Sequence, residues 1–467
     1  MISRQVYRFD LEARTPLYFG GTEAGKLLTR ANGQPVVSGN AIGGLLREWM
    51  KNNKDLLGID PLVVMGDEEM ESEKRIFRES KIQIDDGKVC LPHAYKKFPE
   101  KVGVAIDPKT GAPLKGQQYT YEYLPVGTRI KFEVSCDLGE SSFDANLTKE
   151  NLLHLMSAWA AAIDHEEVRW GGKKSLRFGV CKIVSFVLED YDFSSANAID
   201  AYLFERRPTS VHILKPKPLK ETVTVFKLQM QGSFPYGVYM ADFENRLPAK
   251  QSNGKQQISI PSSSLKGLIR SEVRRLVFKI LSHADSVLVE RKAEQITNIL
   301  FGGADLAGII TVHDLQINGI EVKVIRSVNQ LNDDFPFSPK YVKIDRITGG
   351  VVESQLRRQR EVQGDGKITL EVRPTSNQDP PFDLDTIWFP LIYVLRRIGS
   401  GQLPIGGRTS IGLGIFHAHE LRIELPGDSP RTFIVNINGY SDKETMDWLR
   451  RSYERFMEWC YDEMEMD

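Results

Sequence analysis

Residues 257–270 read QISIPSSSLKGLIR, and these residue types suit one kind of chemistry, the holding of an anion. Ser262, Ser263 and Ser264 form a turn between a short predicted strand and a helix that opens on Lys266 and carries Arg270. Amides at a helix N-terminus lack intrahelical acceptors, the dipole there favours negative charge, and small side chains let a phosphate come close. A plain serine N-cap explains the same turn. Residues 34–47, QPVVSGNAIGGLLR, repeat the pattern at an offset of 223, with Val37 on Ile260, Gly44 on Gly267 and Arg47 on Arg270. Ser38, Asn40 and Arg47 are the matching set, and Gly43 stands where Lys266 would be, one cation fewer.

Two more pairs keep the same order. GGKKSLRFG at 171–179 is answered by GGRTSIGLG at 406–414, an offset of 235, and VAIDPKTG from Val104 by VKIDRITG from Val342, an offset of 238. Three landmarks repeated in one order predict a tandem duplication. In the glycine-rich pair, backbone can approach phosphate while Lys173, Lys174 or Arg408 reaches over it; a turn from helix to strand would use glycine too. Asp107 and Asp345 suit the first position of a turn. His417 and His419 share a strand face at i, i+2, which fits a metal pair or a solvated face. No phosphate-binding G-x-x-x-x-G-K-[ST], no H-E-x-x-H and no HD pair occurs, so nucleotide and zinc hydrolysis have little support.

These residues need elements to place them. Each repeat reads as strand, loop, strand, helix, strand, extended hairpin, strand, helix, glycine-rich loop and strand. Residues 53–75 read as a charged, solvated insertion. Two helices among antiparallel strands predict an α+β fold, two tandem ferredoxin-like units. We divide the chain into a first unit 1–190, a linker 191–221, a second unit 222–440 and an acidic helical appendage 441–467. The chain has 467 residues, 61 Lys and Arg against 62 Asp and Glu, and a net charge of −1, so a wholly basic surface is excluded while a local basic groove is allowed. The 4 cysteines form no C-x-x-C, and neither a signal core nor a membrane-length apolar run is evident. A cytoplasmic protein with reduced thiols is expected.

The order of a Gly-Gly loop with an acid, P-S-S-S-L-K-G-x-x-R, I-D-x-x-T-G and a closing G-G-x-x-S-x-G-x-G resembles the RAMP superfamily, across roughly residues 5–190 and 222–425. Within it the chain resembles the Cas seven-type backbone subunits of type III CRISPR ribonucleoproteins, and its fused pair of units the III-D form. The resemblance implies an RNA-recognition-motif-like palm with a β-hairpin thumb. It also implies CRISPR RNA, complementary target RNA and other CRISPR-associated subunits as partners, with no membrane. The thumb inserts into the guide–target duplex in such proteins, and Tyr119, Tyr121 and Tyr123 alternate on one candidate arm, while the other carries Arg357, Arg358 and Arg360.

Some members of that family cut the target with an Asp that follows a Gly-Gly-x loop upstream of the Ser-rich turn. Here Gly20-Gly21-Thr22 leads to Glu23, one methylene longer, and the second unit places Asp242 near that position in a longer loop without Gly-Gly. The implied chemistry is attack of a 2′-OH on the adjacent phosphate, with Mg²⁺ or another divalent metal, or a cation, stabilising the developing charge. Three functions remain open at this point: an RNA-guided effector subunit that cuts its target, a non-catalytic RNA scaffold, and a general single-stranded RNA-binding protein.

Overall fold

The computed structural model describes residues 3–71, 74–92, 97–106, 113–139, 147–205, 207–219, 225–239, 258–303, 307–318, 340–358, 361–374, 383–426 and 429–462. The chain divides into two compact units, the first running to Val223 and the second from Thr224.

The first unit is built on strand Ser3–Ala13. Its alternation sends Tyr7, Phe9, Leu11 and Ala13 into a core and leaves Arg4, Arg8, Asp10 and Glu12 on the other face. Phe9 stacks on Phe132 of strand Arg129–Leu138 with ring centroids 4.9 Å apart, and meets Trp159 of helix Lys149–Asp164 edge-on at 5.3 Å. Helix Gly39–Asn52 adds Ile42, Leu46 and Trp49 to the same core. Side chains start both helices. Ser38 Oγ accepts from the Ala41 amide at 3.2 Å, and Thr148 Oγ1 from the Asn151 amide at 3.1 Å.

The sheet order explains the class. Strand Cys181–Asp192 lies beside Ser3–Ala13, then Arg129–Leu138, then Gly87–Cys90, all antiparallel. With a helical segment between the first and second of these strands in the chain (Gly39–Asn52 followed by the short Lys54–Leu57 and Pro61–Met65) and helix Lys149–Asp164 between the third and fourth, the spatial order fourth, first, third, second is the ferredoxin-like split βαβ. The second unit repeats it: His417–Leu425, Phe226–Tyr239, Glu361–Val372 and Leu315–Asn318. The small strands match as well. Val36–Val37 and Ile258–Ile260 each pair with the second strand, Ile82–Ile84 and Ile310–Val312 with the third, and Ser210–Ile213 and Arg431–Asn436 with the fourth. Each sheet is therefore 7-stranded.

Between its second and third main strands each unit inserts a two-stranded hairpin that belongs to neither large sheet, Glu100–Ile106 with Pro113–Glu122 and Lys340–Ile344 with Val351–Arg358. Asp345 makes the turn of the second one: its Oδ1 accepts from the amides of Ile347 at 2.8 Å and Thr348 at 2.9 Å. Asp107 lies outside the described residues.

Two segments carry more structure than their composition announces. Residues 191–221, expected as a linker, contribute the outermost strand of the first sheet, Ser210–Ile213. Helix Lys443–Tyr461, within the tail expected as an acidic appendage, buries Trp448, Phe456 and Trp459 in the second core, where Trp448 stacks on Phe433 at 4.5 Å. The buried Lys292 is satisfied by the Trp459 carbonyl at 2.9 Å. Where the first unit has one long helix followed by two short ones, the second unit has two long helices, Ser262–Ile280 and Ser286–Phe301.

Candidate nucleic-acid interface

The glycine-rich closing loops are the same structure twice. Each lies between the helix that follows the third main strand of its unit, Lys149–Asp164 or Asp385–Gly399, and the fourth strand. In the first, Gly171 has φ 77°, Lys173 59°, Arg177 57° and Gly179 90°. In the second, Gly406 has 95°, Arg408 56°, Gly412 87° and Gly414 77°. A single 3₁₀ turn sits inside each, Lys174–Leu176 and Thr409–Ile411. Trp170 N–H donates to the Gly179 carbonyl and Ile405 N–H to that of Gly414, both at 2.8 Å. The last glycine has no substitute, because a Cβ at Gly414 would lie 1.9 Å from the Ile405 carbonyl oxygen and one at Gly179 2.4 Å from that of Trp170. A left-handed backbone is costly for a side chain other than glycine. Lys173 and Arg408 hold it at equivalent places.

The helix N-termini bring a finding that neither motif announced. Ser262 N–H donates to Asp314 Oδ1 at 2.6 Å, and Gly39 N–H to Asp86 Oδ1 at 2.9 Å. In both units a carboxylate from beside the second sheet strand occupies the first helical amide, so the negative charge favoured there comes from the protein itself. Ser262 is fully buried, Ser263 half-buried, and Ser264 and Asn40 are exposed. The helix arginines correspond too. Arg270 donates to the Gly302 carbonyl at 2.9 Å and to Asn298 Oδ1 at 3.0 Å, and Arg47 to the Met65 carbonyl at 2.7 Å. Burial, with Arg274 close by, lowers the pKa of Arg270 from its ordinary value. Lys266 is half-buried on the same helix, and Lys174 lies 3.7 Å from Glu48.

Glu23 is exposed on the rim of a groove of about 380 Å³ that is also lined by Thr22, Lys26, Phe98 and Glu122. Lys26 Nζ reaches Glu122 at 2.7 Å, and the other Glu122 oxygen accepts from the Leu27 amide at 3.2 Å. Among the described residues no three His, Cys, Asp or Glu side chains converge as a metal site. Asp242 lies outside the described residues. His417 and His419 share the exposed side of their strand.

The same duplication appears in comparison with known families. The RAMP superfamily model matches residues 10–182 and again residues 243–417, together most of the chain. The chain belongs to the RAMP superfamily. No curated protein matches it. RAMP membership brings CRISPR-associated RNA binding and the ferredoxin-like unit, and no described helix is long and apolar enough to cross a membrane.

In this RAMP chain the sheet face of the first unit that carries Arg4, Arg8 and Asp10 is tiled by ion pairs. Arg129 grips Asp10 through bonds of 2.9 and 2.6 Å, Arg8 pairs with Glu133 and, at 2.8 Å, with Glu189, and Arg4 lies 3.2 Å from Asp137. A face whose cations already have carboxylate partners offers a polyanion little net charge. Sequence reading missed Asp86 and Asp314, since an acid acting from another strand leaves no local motif.

Proposed function

We propose that this chain is a backbone subunit of a type III CRISPR ribonucleoprotein, of the tandem III-D kind, whose two units hold consecutive stretches of guide RNA with target RNA paired to it. The observation that carries this reading is the doubled closing loop, with the same left-handed backbone in each unit and a hairpin outside the large sheet inserted at the same point of each. One loop used twice, once in each unit, suits a repeating polyanion. Ser263, Ser264, Lys266 and Arg408 in the second unit, and Asn40 and Lys174 in the first, are the proposed phosphate contacts. Ser262, Ser38, Arg270 and Arg47 shape the turns that present them. Lys173 is not among these contacts.

Contacts of this sort carry no sequence information, which in guided systems comes from base pairing. Lys266→Ala should weaken binding to RNA of any sequence by a similar factor and lower the slope of log K against log salt by about one. A loss confined to some sequences contradicts the assignment.

Target cleavage is the finer part of the proposal. A 2′-oxygen forms a bond to the neighbouring phosphorus as the P–O5′ bond breaks, and the leaving 5′-oxygen takes up a proton. Asp242, in the unit whose motifs lie nearer the family pattern, is the acid proposed to take the 2′-OH proton, with Glu23 as its counterpart. The test uses the assembled complex and end-labelled complementary RNA, with and without Mg²⁺. Asp242→Ala should leave guide binding intact and abolish one cut, and Glu23→Ala should remove a second cut or none. A full product ladder from Asp242→Ala makes the chain a non-catalytic scaffold.

A further inference from the structure

Lys173 stands apart from the other loop cations. Its ammonium lies 3.9 Å from the ring centroid of Tyr121, 5.2 Å from that of Tyr18 and 5.5 Å from that of Tyr119. Tyr119 and Tyr121 belong to the hairpin strand Pro113–Glu122 and stack at 6.2 Å, while Tyr18 meets Tyr121 edge-on at 5.6 Å. Ring faces attract cations. A second contact runs in the opposite sense: Lys101, on the other hairpin strand Glu100–Ile106, lies 5.7 Å from the ring of Phe178, which is buried in the closing loop. The loop thus lends a cation to the hairpin's rings, and the hairpin lends one to the loop's ring. Tyr119 folds across Gly103 on the partner strand, where a Cβ would fall 2.4 Å from its ring. Burial and the charge of Lys101 pull the Lys173 pKa below the usual lysine range, so the rings offset a desolvation cost.

We propose that Lys173 is a positioning residue: its cation, bedded on Tyr18, Tyr119 and Tyr121, ties the hairpin to the closing loop and does not contact RNA phosphate. Tyr121 is buried in this tie, and Tyr119, 48% exposed, is the ring left facing outward at a fixed place. The tie needs no RNA; only its use, presenting Tyr119 to a base, rests on the RNA-holding reading.

Amide hydrogen exchange on the full chain tests it. In Lys173→Met the amides of Pro113–Glu122 should exchange roughly two- to thirty-fold faster, the range that a cation–π contact supports, while those of Ser3–Ala13 stay unchanged. Lys173→Arg keeps a cation and should restore most of the protection. Tyr119→Ala attacks the tie from the hairpin side and serves if Lys173→Met does not fold. In parallel, binding to a mixed-sequence single-stranded RNA oligonucleotide is followed across salt. Lys173→Met should keep the wild-type slope, whereas loss of a phosphate contact lowers it by about one. The proposal is overturned by unchanged hairpin exchange in Lys173→Met and Tyr119→Ala, or by a slope that falls by about one. If the wild-type chain binds no RNA, the RNA-holding reading fails and the exchange arm still decides the tie.

Discussion

Single residues carry the second unit's fold in ways that can be measured. Glu371 is buried on the third strand, hydrogen-bonded to His313 at 2.9 Å and paired with Arg373 at 3.0 Å. Burial pushes its carboxyl up, but the His313 bond and the Arg373 charge more than reverse this, and its pKa falls well below the ordinary 4.5. A carboxylate depressed in the folded state adds stability above its unfolded pKa, and that stability is lost as pH falls toward the folded value. Glu371→Gln should therefore destabilise the chain by roughly 1–3 kcal/mol at neutral pH, with a smaller difference from wild type below about pH 4. Denaturant melts across pH check this, and a difference constant down to about pH 2 contradicts it. Gly414→Ala meets both a left-handed φ and the Ile405 carbonyl, and should cost at least about 2 kcal/mol. Local sequence announces the glycine through its repeat. It says nothing of the Glu371 cluster, whose partner His313 comes from a different strand connection.

At the scale of elements, the two Asp caps decide how the Ser-rich helices begin. Asp314→Ala removes the acceptor for the Ser262 amide, and Asp86→Ala that for Gly39. Each should cost about 0.5–2 kcal/mol by denaturant melting, and a neutral result would show that water replaces the carboxylate without loss. The helices themselves were legible, because residues 39–52 and 262–280 combine a small-residue start with apolar spacing. Strand Ser210–Ile213 was not. Its charged and proline-rich surroundings read as linker, and it is held by pairing with residues 187–190, far upstream of any local signal. Helix Lys443–Tyr461 was set apart from the second unit because it follows the last repeated motif. Its tryptophans, placed to one side, are what the core takes up. Hairpin Asp67–Glu71 with Lys74–Arg78 likewise falls where charge alone suggested irregular chain. Strand pairing depends on partners distant in sequence, and composition does not record them.

At the scale of the molecule, the duplication was the most legible property, because three motifs recur at nearly constant offsets, and the Ser-rich and glycine-rich ones mark the same structural place in each unit. What the motifs left open was which cations meet RNA. Arg270 and Arg47 serve the interior, Lys173 serves the hairpin, and the remaining cations and hydroxyls hold the phosphates in our account. The claim that this RAMP chain is an RNA-holding backbone is tested most directly by the nucleic acid that co-purifies with it from cells that produce it. The account predicts short RNA, destroyed by ribonuclease and untouched by deoxyribonuclease, whose members share one repeat-derived tag. Protein that emerges free of RNA, or with RNA of unrelated ends, would contradict it.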